Sequence, residues 1–220
     1  MALFADRLDA GRRLASRLGG YRGRKNVLVL ALPRGGVVIG FEIARALSVP
    51  LDIVIVRKLG FPGRPELAIG ALAETGRVVL NEEVISLFDV PRSYVDREIA
   101  KQAKEIAERA RLYRQDGPPV HVEGKTVILT DDGVATGSTM KAAIQTLKEE
   151  ALLSLVVAVP LGPPQTVAEL RAMADEVVCL ESPPDFVAVG MHYGDFGEVS
   201  DREVVGLLAR AREPAATESR

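Results

Sequence analysis

The sequence holds a single cysteine, Cys179, no tryptophan and only 5% aromatic residues. One thiol cannot make an intramolecular disulfide framework or a cysteine-rich zinc site, and it suits a reduced, cytoplasmic setting. Cys179 lies in the apolar run 177–180, where it reads as a buried filler residue. Charge of one sign is also missing. The formal net charge is −2, with acids and bases interspersed, so there is neither a basic tail for nucleic acid nor a polybasic patch for membrane. A small-molecule partner fits this balance. The longest apolar run, 156–161, is far short of the roughly 20 residues that span a bilayer, and residues 1–13 contain no secretory core. No Gly-x-x-x-x-Gly-Lys loop, Gly-x-Gly-x-x-Gly turn or Gly-x-Ser-x-Gly elbow occurs. His121 and His192 lack metal-ligand spacing and read as ordinary histidines.

What is present is a hydrophobic content of 47% over 220 residues, enough for one sizeable core. Residues 1–18 read as an amphipathic helix with Leu3, Leu8, Leu14 and Leu18 near one face, ended by Gly19-Gly20. Short apolar runs at 27–32, 51–56, 127–129, 155–159 and 177–180 predict strands covered on both faces. Helical spacing follows at 36–47, 138–150 and 164–173. Strands alternating with helices predict right-handed crossovers and a parallel sheet. Two stretches break the rhythm: a hairpin over 68–81, turning near Glu74-Thr75-Gly76, and a long charged helix over 92–114 with Ile99, Ala103, Ile106 and Ala110 at helical spacing. Both read as an insertion in one domain over 1–212, and 213–220 reads as a flexible tail.

The densest chemistry lies at 127–139. An apolar strand delivers Asp131 and Asp132 at its carboxyl end, then Gly133-Val134-Ala135-Thr136-Gly137-Ser138-Thr139 leads into a helix. Gly133 and Gly137 allow a tight turn and close approach of a ligand. Successive N–H groups and a helix N-terminus favour an anion. Thr136, Ser138 and Thr139 can donate to phosphate oxygens, while Asp131 and Asp132 can accept from a diol or hold the waters of Mg²⁺.

This segment closely resembles the phosphoribosyl diphosphate (PRPP) signature of type I phosphoribosyltransferases, and the order of elements from about 27 to 180 matches that family. The resemblance implies an α/β fold with a parallel sheet and a small hood from 1–20 and 183–212. It implies ribose contacts from Asp131 and Asp132, which would also reach Mg²⁺ through water. It implies a 5′-phosphate cradle of Ala135, Thr136, Gly137, Ser138 and Thr139.

Pro33-Arg34-Gly35-Gly36 is a second anion-binding context after the first strand. The family places its diphosphate loop there, and a cis peptide beside Pro33 or Arg34 is compatible with it. On the resemblance, Gly35 and Arg57 contact PRPP, and Arg34 and Lys58 stabilise the leaving diphosphate. Arg57-Lys58 ends the second predicted strand, and residues 59–66, with two glycines and two prolines, predict a mobile lid. Residues 183–196 concentrate Phe186, Tyr193 and Phe196 among glycines and prolines, and predict a hood that stacks a planar acceptor on Phe186 or Tyr193. In the hypoxanthine–guanine branch a carboxylate that assists proton transfer stands where this chain has Ala135, so the acceptor stays open.

The implied reaction is Mg²⁺-dependent transfer of phosphoribose from PRPP to a nitrogen acceptor, a nucleobase foremost. Two alternatives stand beside it: a regulator that binds PRPP or a nucleotide without turnover, and a hydrolase or phosphorylase of phosphoribosyl compounds. The resemblance leaves a homodimer open.

Overall fold

The computed structural model describes residues 2–115, 117–118 and 120–213, with the backbone alone at Pro65 and Glu66. The predicted tail beyond Glu213 lies outside the described residues. Apolar runs buried on both faces become parallel strands, because only a central position hides both sides of such a strand. In chain order the elements are α1 (Arg7–Arg17), β1 (Val27–Ala31), α2 (Gly35–Leu47), β2 (Leu51–Ile53), β3 (Val56–Phe61), β4 (Arg64–Ala73), β5 (Val78–Leu80), α3 (Glu82–Leu87), α4 (Arg92–Arg114), β6 (Thr126–Thr130), α5 (Ser138–Lys148), β7 (Ser154–Leu161), α6 (Pro164–Met173), β8 (Glu176–Glu181) and α7 (Asp201–Arg212). Five strands form one parallel sheet in the order β2-β1-β6-β7-β8. The strand order reverses between β1 and β6, which pair in register from Val27↔Thr126 to Ala31↔Thr130. In open α/β sheets the crevice beyond the strand ends at such a reversal is where ligands bind.

One face of the sheet packs against α1 and α2, and the other against α5. At α1, Leu14 and Leu18 are buried as expected, but Leu8 is exposed, so the buried stripe is narrower than its leucines suggest. On α4, Ile106 is buried while Ala103 is exposed; the inward stripe runs through Val95, Gln102, Ile106 and Tyr113. Residues 3–5 join the 192–195 segment by main-chain bonds, Leu3 N–H and Phe4 N–H to His192 C=O and Gly194 N–H to Phe4 C=O. The N-terminal segment and the 192–195 segment therefore meet beside the carboxyl end of β6, where Tyr193 reaches Asp132.

The structure corrects two expectations. The apolar run 51–56 is not one strand. Val54 N–H makes the last bond to the main sheet, at Ala31 C=O, and Ile55 N–H then turns to the Glu74 carboxylate. β3 starts at Val56 in a separate antiparallel sheet, β3-β4-β5, so Arg57 and Lys58 open that sheet and do not end the parallel strand. Hydrophobicity is continuous across the switch, which is why sequence alone joined the two strands. Residues 59–66 are likewise no irregular loop. They are the paired end of the β3–β4 hairpin, with register shifts around Gly60 and Gly63 at φ +71° in the turn. The glycines read as lid residues serve a bulge and a tight turn. Tyr94 Oη donates to Gly60 C=O at 3.0 Å, and Phe61 packs edge-on against Phe88, holding the hairpin down. The expected turn at Glu74-Thr75-Gly76 is present, with Gly76 at φ +83°.

Candidate active site

β1 and β6 end side by side, and Leu32 N–H bonds to Thr130 C=O at 3.0 Å. That bond sets the 33–36 turn against the 131–132 pair. The approach is so close that a Cβ on Gly35 would strike the Asp132 carboxylate, and one on Gly36 would lie 2.9 Å from Asp131 Cα. At Gly36 the obstacle is backbone, and at Gly35 any side chain would have to displace the Asp132 carboxylate. The Pro33–Arg34 peptide is cis. The two glycine-rich turns singled out in sequence thus form one crevice at the strand-order reversal.

Two carboxylates pressed together out of water hold their protons more tightly. Desolvation, then the charge of Asp132, holds the Asp131 carboxyl well above the usual carboxylate range. Desolvation also raises Asp132, but Arg7 opposes it. Arg7 was not legible as a site residue. Asp6 caps α1, accepting from Asp9 N–H at 2.7 Å, and this fixes Arg7 at the first helical position. Arg7 Nε donates to Asp132 Oδ2 at 2.8 Å and Nη1 donates to Gly197 C=O at 2.8 Å, with the guanidinium 3.8 Å above the Phe196 ring. Its only sequence signal was a helix-start arginine after a capping aspartate.

The 133–139 turn is pinned from outside. Val134 N–H bonds to Leu161 C=O, Thr166 Oγ1 donates to Ala135 C=O at 2.8 Å, and Lys141 Nζ donates to Thr136 C=O at 3.0 Å. Lys141 is itself ion-paired with Glu169. Gly137 takes the left-handed conformation at φ +68° and starts α5 without a side-chain cap. Thr136 Oγ1 and Ser138 Oγ lie 2.9 Å apart at the mouth, with Ala135 and Thr139 exposed beside them.

Other candidates fall in less expected places. Arg34 pairs with Glu198 at 2.5 Å, a contact that raises its pKa and draws it toward the 196–200 segment. Arg57 pairs with Glu105 at 3.1 Å. Arg57 and Lys58 line a cavity of about 370 Å³ that also borders Pro33 and Thr139. Tyr193 cannot stack an acceptor as expected. It is 6% exposed, its ring lies 5.3 Å from Phe4 and 5.0 Å from Phe196, and its hydroxyl donates to Asp132 C=O at 2.6 Å. Burial raises its pKa. It packs the hood onto the acidic pair, because a hydroxyl so placed finds a backbone acceptor and the ring is spent on its aromatic neighbours. Phe186 remains half-buried and stacks on His192 at 5.3 Å.

Among the described residues no three His, Cys, Asp or Glu side chains can close round a metal ion. The acidic pair nevertheless fits a hard, well-hydrated divalent ion that takes its other ligands from water and phosphate. No described helix is long and apolar enough to cross a membrane.

A parallel sheet with two glycine-rich turns meeting at its reversal defines an α/β protein suited to an anionic ligand at the strand ends. The model of the phosphoribosyl transferase domain matches residues 3–194, and the chain belongs to that family. Two Mycobacterium tuberculosis proteins, from strains H37Rv and CDC 1551 and provisionally named phosphoribosyl transferases, are each 46% identical over 216 residues, covering 98% of this chain and 48% of their own length. The chain therefore spans about half the length of these curated relatives. The crystal structure of TT1426 from Thermus thermophilus is similar over 96% of this chain and 99% of its own, with 45% identity and a TM-score of 0.87.

Proposed function

We propose that the chain transfers phosphoribose from PRPP to a nitrogen acceptor with Mg²⁺. The observation that carries this reading is the contact of Gly35 and Gly36 with Asp131 and Asp132, which joins two anion-binding turns and an acidic pair in one crevice. In this reading Asp131 and Asp132 accept from the ribose hydroxyls. Ala135, Thr136, Gly137, Ser138 and Thr139 surround the 5′-phosphate, whose charge suits the α5 N-terminus. Gly35, Arg34, Arg57 and Lys58 serve the diphosphate. Mg²⁺, held through water by Asp131 and Asp132, would neutralise charge on the diphosphate oxygens when bound.

The C–O bond at the anomeric carbon breaks with its electron pair going to diphosphate. The acceptor nitrogen supplies the pair for the new C–N bond and gives up a proton to solvent. An oxocarbenium-like transition state needs no protein nucleophile, so the protein's part is positioning and charge stabilisation. Arg34 must leave Glu198 to take that part, and an exposed ion pair of this kind is weak enough to exchange. Phe186 is the aromatic left to stack the acceptor. The test is to incubate the protein with Mg²⁺, PRPP and a panel of purines, pyrimidines and small amines and to measure diphosphate release. Acceptor-dependent release supports transfer, release without any acceptor supports a hydrolase, and tight PRPP binding with no release supports a regulator.

A further inference from the structure

A polar stripe runs along the edge of the inward stripe of α4 and shares Gln102 with it. Glu98, Gln102, Glu105 and Arg109 recur at helical spacing, with Lys101 alongside, so they share a face. All five line the 370 Å³ cavity, across from Arg57 and Lys58 on β3, and Pro33 and Thr139 border the same space. We propose that this cavity is a diphosphate chamber in which Lys101 and Arg109 of α4 bind the diphosphate group beside Arg57 and Lys58. The proposal rests on the phosphoribosyl-transfer reading and adds a helix to its site.

Three observations carry it. Among the described residues the lining sets Arg57, Lys58, Lys101 and Arg109 against Glu98 and Glu105, and Lys101 and Arg109 on α4 face a polyanion from the side opposite β3. The volume lies within the roughly 300–1,000 Å³ typical of small-ligand pockets. The Arg57 side chain is incompletely used: its terminal nitrogen meets Glu105, but its Nε is buried with no hydrogen-bond partner. A buried donor of this kind costs stability unless a ligand oxygen satisfies it. Glu105 acts here as a stand-in anion that a diphosphate oxygen displaces. Arg34, Gly35 and the acidic pair do not line the cavity, but Pro33 precedes Arg34 and Gly35 in one turn and Thr139 closes the other, so the chamber adjoins the crevice and a diphosphate can reach from those turns into it. Charge that develops on the leaving diphosphate would then face the α4 cations.

The test uses calorimetry with inorganic diphosphate plus Mg²⁺ and, separately, ribose 5-phosphate. Lys101 and Arg109 are exposed on α4, so their replacement spares the fold. Lys101→Gln and Arg109→Gln should each weaken diphosphate by about five-fold, the upper end for an exposed charge pair, and leave ribose 5-phosphate unchanged. Glu105→Gln should tighten diphosphate, because it frees Arg57. Unchanged diphosphate affinity in both cation variants, equal losses for both ligands, or weakened diphosphate binding in Glu105→Gln would each overturn the chamber. A wild-type protein that binds diphosphate, loses it in the cation variants, yet ignores PRPP and ribose 5-phosphate would keep the chamber and refute the transfer reading.

Discussion

At the scale of single residues, the site is built from groups that the fold holds at a disadvantage. Asp131 and Asp132 both have raised pKa values, from desolvation first. The folded state therefore binds protons more readily than the unfolded chain does. Their contribution to stability is complete below the ordinary carboxylate value of about 4 and is lost as pH rises through the raised values. Asp131→Asn should consequently raise the melting temperature of the ligand-free protein at pH 7 and have little effect near pH 3.5, a difference that scanning calorimetry at the two pH values reads directly. Equal shifts at both would mean that the carboxylate is not penalised. Arg7 has the opposite sense, since it is the cation that offsets Asp132. Arg7→Ala should weaken PRPP binding by about ten-fold, the scale of a hydrogen bond between charged groups, and Arg7→Lys should recover part of it; titration of PRPP in the presence of Mg²⁺ checks both. The acidic pair was readable from sequence because an apolar strand, two acids and a Gly/Thr/Ser turn are contiguous. Arg7 and Glu198 were not, because each reaches the site from about 125 and 164 residues away along the chain.

Among the elements, the insertion between β2 and β6 is fastened by a buried charge cluster. Arg114, 3% exposed at the end of α4, donates to Asp52 on β2 at 3.1 Å and to Ile53 C=O at 2.7 Å, and it also pairs with Glu74 at the β4 turn. Desolvation raises the Glu74 pKa, and Arg114 opposes it. One guanidinium thus ties the parallel sheet, the hairpin and α4 together. Arg114→Met should cost about 3–5 kcal/mol, because it strands two buried carboxylates; urea denaturation should show the midpoint fall, and a loss below about 1 kcal/mol, the range of a solvated pair, would show that water reaches the cluster. The same insertion marks the limit of sequence reading. The 68–81 hairpin was legible from its turn residues, whereas 59–66 read as an irregular loop because its two glycines have different jobs, a bulge and a turn. α7 was folded into the hood region unseen, although Ser200 caps it and acids and arginines sit at its two ends.

For the molecule as a whole, alternation of strands and helices announced a parallel sheet, but not its strand order. That order builds the candidate site, because it brings the turn after β1 beside the turn after β6, about 100 residues later in the chain. Periodicity reports which face a residue shows and says nothing about which strand lies alongside. The cavity between α4 and β3 was hidden for the same reason: it forms where the chain departs from the main sheet after β2 and packs α4 against the separate β3-β4-β5 sheet. Calorimetric titration of PRPP is the direct test of the proposal that this junction holds a phosphoribosyl diphosphate with Mg²⁺. The wild-type protein should bind PRPP saturably and only when Mg²⁺ is present. The double variant Asp131→Asn plus Asp132→Asn, folded by circular dichroism, should lose about 100-fold or more in affinity, as removal of two charged contacts implies. Equal affinity for PRPP in the wild type and the double variant, or binding indifferent to Mg²⁺, would contradict it.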